Sequence, residues 1–398
     1  MKGKMFLLCI YMLCISILSG CFDATELDEL AIALLIGIDL EDNKILITAE
    51  VIDIEYSSDS SGTGNVSVKY VQGTGNTILE ALRDITLKFG YRIYGAHTKA
   101  IIFGEDIAKK GVMQYMDQLF RARELRESAY VIVAKEDKAY EVMGISSGIE
   151  PIPANYIVTL IDSIKYNPKT IDTNMMDFVK HYYHMGRHPV VAVLEARQKK
   201  GINHTENETG TENFELSSIG SAVFKNDTLV GYLSGNDTKA LNYILNNVKG
   251  GIITFPTPVD GNKTLFSSLS TIKVSTKNDV ELKDGRLILK TKITITGFIG
   301  EVGGNIDITN YANLEKMAQA CSRTVEEGIK MTVKKVQKEF GFDIFGFGHV
   351  FHKKHTEQWR RIEGKWDEFF ANADFQIEVI TNIISSGLLN KPLTVKEK

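Results

Sequence analysis

A nearly unbroken apolar run, Met5 to Leu18, follows Lys2 and Lys4 and ends in Leu18-Ser19-Gly20-Cys21. It is too short for a bilayer span, which takes about 20 residues, and has the length and flanks of a signal-peptide core. The four residues at its end fit a bacterial lipobox: a branched apolar residue, two small ones, then a cysteine whose thiol takes a diacylglycerol group. Cleavage then leaves residues 1–20 behind as signal peptide and makes Cys21 the lipidated first residue of the mature chain. Two or more acyl chains, each methylene contributing about 0.8 kcal/mol, hold a folded body at a membrane durably. The expectation is a folded domain on a lipid tether.

Cysteine usage agrees with that processing. Cys9 and Cys14 leave with the leader and Cys21 is modified, so only Cys321 of the four cysteines remains and no internal disulfide framework can form. No second apolar run after the first twenty residues is long enough to span a membrane. With 46 basic and 50 acidic residues the formal net charge is −4, which offers no bulk attraction to nucleic acid.

The body reads as α+β, in about three units of mixed sheet packed with helices. Apolar β-rich runs at Ala31 to Ile38 and Lys44 to Ile52 flank Asp39-Leu40-Glu41-Asp42-Asn43 and predict a hairpin. Strand and helix patterns then alternate, with helices expected at Glu105 to Arg121, near Asn155 to Ile164 and at Thr173 to His184, and with Pro151 and Pro153 as an interruption. An N-terminal domain is placed at 21–198, a polar linker at 199–213, a middle domain at 214–258 and a C-terminal domain at 259–398. The last holds two long strands, a helix from Tyr311 to Phe340 with an apolar stripe through Cys321, Val325, Ile329 and Val333, and a terminal strand. Between helix and strand, Trp359, Ile362, Trp366 and Phe369 recur at offsets of three and four, as on one helical face.

Motifs for chemistry are weak. Gly144-Ile145-Ser146-Ser147-Gly148 spells a nucleophile elbow, but a helical pattern precedes it where a strand is required. His181, His184 and His188, and again His349, His352 and His355, have spacings that could place two imidazoles on one metal; Lys353 and Lys354 oppose a cation there. No metal, cofactor or catalytic residue is assigned. The aromatic stripe reads as core, with the sharper alternative that Trp359 or Trp366 stays partly exposed and docks a partner, as aromatic anchors do.

Cys21-Phe22-Asp23, Glu26-Leu27, Leu30-Ala31 and Gly37-Ile38-Asp39 open a series that resembles the spore-germination lipoproteins of the Ger(x)C family. Tyr94-Gly95-Ala96-His97, Ala100 to Glu105, Gly220 to Phe224, Leu229 to Leu233 and Lys249 to Ile253 continue it. Asp343-Ile344-Phe345-Gly346-Phe347-Gly348, His352, Trp359, Ile362, Trp366 and Phe369 close it. Phe22 replaces a common tryptophan, and His349 a common acidic residue. The resemblance implies a non-enzymatic C subunit of a germinant receptor, lipid-anchored at the outer face of the inner spore membrane. It further implies partnership with A-type and B-type membrane subunits in nutrient-triggered germination. The competing reading is a lipid-anchored solute-binding protein of a transporter.

Overall fold

The computed structural model describes residues 3–4, 11, 29–53, 67–121, 125–146, 149–184, 186–199, 214–258 and 265–385. Cys21 with the rest of the expected lipobox, Ser147, Gly148 and residues 200–213 of the expected linker lie outside these segments.

Strands β1 (Leu30–Glu41) and β2 (Lys44–Asp53) make the expected hairpin, closing at Glu41↔Lys44. Its turn residues Asp42 and Asn43 have φ of 48° and 61°, the left-handed pair a two-residue hairpin requires. Next come β3 (Ser67–Gly75), α1 (Ile78–Phe89), β4 (Arg92–Tyr94), β5 (Ala100–Gly104), α2 (Glu105–Ala108) and α3 (Met113–Arg121). The chain continues through β6 (Tyr130–Ala134), α4 (Ala139–Met143), α5 (Pro153–Asp162), α6 (Met175–Tyr183) and β7 (Val190–Gln198). Strands β1, β5, β6 and β7 run parallel as neighbours, with nearly continuous apolar sequence because both sheet faces are covered.

Two local expectations change. The single helix foreseen over 105–121 is two, because Gly111 takes φ 105° and turns the chain before α3 begins. The helix foreseen near Asn155 to Ile164, after the interruption at Pro151 and Pro153, begins two residues earlier, on Pro153 itself, where the missing N–H leaves nothing unpaired.

A third change concerns the expected middle domain. Strands β8 (Phe214–Ser217), β9 (Ser221–Lys225) and β10 (Thr228–Leu233) extend the first sheet, with Val190↔Val223 and Ala192↔Ser221 in register. The sheet reads β10-β9-β7-β6-β5-β1-β2-β3, with β4 beside β1 and β8 beside β7. Pairing crosses the boundary placed at 214 because Ser221 to Phe224 are buried throughout and need neighbours on both sides.

After α7 (Gly235–Ile244), strands β11 (Gly251–Pro256), β12 (Phe266–Lys283), β13 (Arg286–Glu301) and β14 (Asp374–Ser385) form a second sheet in that order. Strands β13 and β14 are parallel, so a long crossover must join them. It consists of α8 (Tyr311–Glu339), α9 (Phe347–Lys354), α10 (Thr356–Ile362) and α11 (Trp366–Ala371). Helix α8 buries the stripe foreseen for it, from Met317 through Val336, and Gly341 at φ 73° follows its end. Cys321 on that stripe is a free buried thiol that burial pushes up to about 11. One apolar cluster runs from Leu35 and Ile132 in the first sheet through Leu241 on α7 to Ile293 on β13 and Trp366, so the two sheets share a core. A second cluster, around Ile38, Phe103 and Ile85, covers the other face of the first sheet. Among the described residues no helix is long and apolar enough to cross a membrane.

Candidate functional site at the Asp343 junction

Four helix starts are held by acidic side chains that lie outside the helices themselves. Asp39, 1% exposed within β1, accepts the N–H groups of Ala139 at 2.8 Å and Tyr140 at 3.3 Å, the first turn of α4. Glu50 on β2 accepts Ala154 N–H at 3.1 Å at the start of α5, and the Tyr70 hydroxyl at 2.7 Å. Asp227, in the β9–β10 turn, accepts Met113 N–H at 3.2 Å with its side chain, and Val112 N–H at 2.9 Å with its carbonyl, ahead of α3. Each acid satisfies donors that a helix N-terminus cannot pair internally, and places negative charge at the positive end of the helix dipole. Burial pushes Asp39 up to about 6 and Glu50 up to about 7, opposed in both by these hydrogen bonds.

Asp343 is the fourth, and it organises the place where the C-terminal crossover meets the first sheet. One carboxylate oxygen accepts Phe345 N–H at 2.8 Å and Gly346 N–H at 2.9 Å. The other takes Gly348 N–H at 2.8 Å and Trp366 Nε1–H at 3.3 Å. The group is completely buried; desolvation raises it to about 6, and the same four donors limit the rise. Its backbone carbonyl accepts His188 N–H at 2.8 Å, tying the loop to the segment that leads into β7. Gly186 and Gly348 meet there backbone to backbone. A Cβ on Gly348 would lie 2.4 Å from Gly186 Cα, and a Cβ on Gly186 would lie 2.8 Å from Trp359 Cη2. Arg187 lays its aliphatic stem along Gly346 and lines a polar cleft of about 560 Å³ with Asp172, Asp177 and His181. Burial lowers its guanidinium to about 10, and Asp343 and Asp177 oppose that shift.

The two histidine trios, far apart in sequence, come together at this junction. His184 and His349 have ring centroids 5.5 Å apart. His188 accepts Asn226 N–H on Nδ1 at 3.0 Å, which puts its ring proton on Nε2, 3.5 Å from Asp367 Oδ2. His352 stacks on Trp359 at 5.3 Å, and burial lowers His181 to about 3, so it stays neutral. Among the described residues no group of three or more His, Cys, Asp or Glu is arranged to hold a metal ion. The contacts made here are ring contacts for His184, His349 and His352 and a side-chain bond to backbone for His188.

Both tryptophans are core residues. Trp359 is 1% exposed and Trp366 is 3% exposed, their rings 5.2 Å apart, with Phe351 stacked against Trp366 at 5.9 Å. The expected single helical face is itself broken by a 3₁₀ turn at Glu363–Lys365, and the two rings meet from separate short helices. Ser146 of the elbow-like sequence follows helix α4 rather than a strand, so the sharp strand-to-helix turn is absent at that serine. Sequence reasoning missed the helix-starting acids. Their signal was present as single carboxylates inside apolar strands, and as an aspartate two to five residues before small residues and a helix.

Residues 23–196 match the family model described as spore germination protein N-terminal domain, and residues 219–387 match spore germination B3/GerAC like, C-terminal. Among curated proteins the chain is 28% identical to spore germination protein KC of Bacillus subtilis (strain 168), over 99% of this chain and 98% of that one. It is 25% identical to spore germination protein B3 of the same organism, over 94% and 96%. The crystal structure of the GerBC protein superposes with a TM-score of 0.57 at 22% identity, covering 88% of this chain and 96% of that one, a likeness of fold.

Proposed function

Because the chain belongs to the Ger(x)C family of spore germination proteins, we propose that it is a subunit of a germinant receptor, required for nutrient-triggered germination. The observation that carries this reading is the ordered match of both family models, with relatives aligned over nearly their whole length. In this reading the mature chain is tethered through lipidated Cys21 to the outer face of the inner spore membrane. It works by contact with A-type and B-type membrane subunits rather than by catalysis. A contact role is supported by the chemistry of the buried acids: Asp39, Glu50 and Asp343 are each engaged by helix N–H groups and so are poorly placed to handle a substrate proton. The shared core of the two sheets supports a body that presents surfaces rigidly.

Spores lacking this chain should lose their response to nutrient and regain it with the wild-type sequence; an unchanged response in the deletion refutes the assignment. The anchor is tested separately. Cys21→Ala should abolish incorporation of labelled fatty acid and cleavage before residue 21, and labelling at the wild-type level would end the lipoprotein reading.

A further inference from the structure

Between α7, the edge strand β11 and the middle of α8 lies a groove of about 790 Å³, within the size range of small-molecule sites. Its floor is apolar, with Ala240, Ile253, Val325 and Ile329. Its polar end holds two cations, Lys169 and Lys239. Neither lysine is in an ion pair among the described residues, and Lys239 Nζ has a single protein partner, the Ile252 carbonyl at 2.7 Å. Asp237, which also lines the groove, is held by Lys335 at 2.9 Å, by Thr332 and by Ser234. Glu327 stands exposed at the rim, and the Cys321 thiol faces Lys239 from α8. Lys169 and Lys239 repel one another in this concave site, where Asp237 is already engaged by Lys335 and the exposed Glu327 pairs with neither lysine, an arrangement that a bound anion relieves. Burial and the nearby Lys169 lower Lys239 to about 8, in keeping with that geometry.

Gly328 supplies an independent observation. It lines the same groove from the interior of the 29-residue helix α8, where glycine weakens a helix. A Cβ there would meet nothing within 4 Å, so the chain's own packing does not require glycine at this position. The space beside the helix backbone is open on the groove side.

We infer that this groove binds an amphipathic organic anion, its carboxylate or phosphate held between Lys169 and Lys239 and its apolar body laid along Val325, Gly328 and Ile329. Such an anion could be a free acid or a lipid headgroup.

The test is acetylation of lysines by acetic anhydride in the full chain, read by peptide mass spectrometry, in phosphatidylcholine vesicles. The probe is 3-phenylpropionate at millimolar concentration, with 3-phenylpropanol and 3-phenylpropylamine as neutral and cationic analogues. The acid should slow acetylation of Lys239 about fivefold, the effect of a site mostly occupied, while the exposed Lys110, which does not line the groove, reacts unchanged. The alcohol and amine should give no protection. Lys169→Ala should keep the wild-type melting temperature yet abolish the protection of Lys239. Replacing the vesicles by phosphatidylglycerol, without added acid, separates the sources: protection there assigns the site to a lipid headgroup, and protection by the soluble acid alone assigns it to a free acid. No protection in either arm, or equal protection by the alcohol, overturns the inference.

Discussion

Gly348→Ala should loosen the whole C-terminal crossover. The added Cβ would sit 2.4 Å from Gly186 Cα, 2.7 Å from Gly186 O and 2.8 Å from Trp366 Cε2. Carbon atoms pack at about 3.5–4.0 Å, so the two backbones must part by roughly 1 Å, and neither is a flexible side-chain end that could swing aside. A displacement of that size lengthens the 2.8 Å bond from Gly348 N–H to Asp343 and the 2.8 Å bond from His188 N–H to the Asp343 carbonyl beyond hydrogen-bonding range. Overpacking of this kind costs about 1–3 kcal/mol, and each buried bond left unmade about 1–3 more. With two such bonds the sum is about 3–9 kcal/mol, and at about 2–4 °C per kcal/mol for a large domain the melting temperature should fall by at least roughly 6 °C. Differential scanning calorimetry on the wild type, Gly348→Ala, Gly186→Ala and the double variant is the assay. Both glycines guard one gap, so the double variant should lose less than the sum of the singles. A Gly348→Ala protein melting within 2 °C of the wild type would show that the contact is not rigid and that the junction is not held as described.

Trp359→Ala and Trp366→Ala should each lose about 3–5 kcal/mol of stability, measured by thermal unfolding, since both rings are core. A thermally silent variant that still reaches the membrane and blocks germination would instead restore a docking role. Asp39, Glu50 and Asp343 are all raised on folding, so the native chain holds more protons than the unfolded one between about pH 4 and pH 7. Stability should therefore fall as pH rises through that window, Glu50 alone contributing about 3 kcal/mol. Glu50→Gln keeps an acceptor for Ala154 N–H and should flatten the slope of melting temperature against pH; an unchanged slope would discount this residue. Cys21→Ala should lose fatty-acid labelling, as set out above.

Periodicity carried most of the fold. The β1–β2 hairpin and α8 were legible because their apolar spacing and turn residues are local properties of the chain. What it could not show is set by distant partners. The start of α3 is held by Asp227 from the β9–β10 turn, and the start of α5 by Glu50. The assignment of 214–233 to the first sheet rests on pairing across residues 200–213, which have no apolar pattern of their own. At the junction the aromatic stripe did mark core, whereas the meeting of Gly186 with Gly348 and of His184 with His349 leaves no trace in local spacing.

Helix starts that depend on remote acids change how the molecule opens. In an ordinary helix the first-turn amides fray and exchange their protons with solvent quickly. The amides of Ala139, Ala154 and Met113 are held by side chains 100, 104 and 114 positions away. Their exchange requires the tertiary structure itself to part, which places these helix ends on the slow clock of the central strands. Because such closures span long stretches of chain, these helices also acquire their starts late in folding, after the first sheet has assembled. A deuterium pulse would then label the first turns of α3, α4 and α5 in step with β1 and β2 rather than ahead of them.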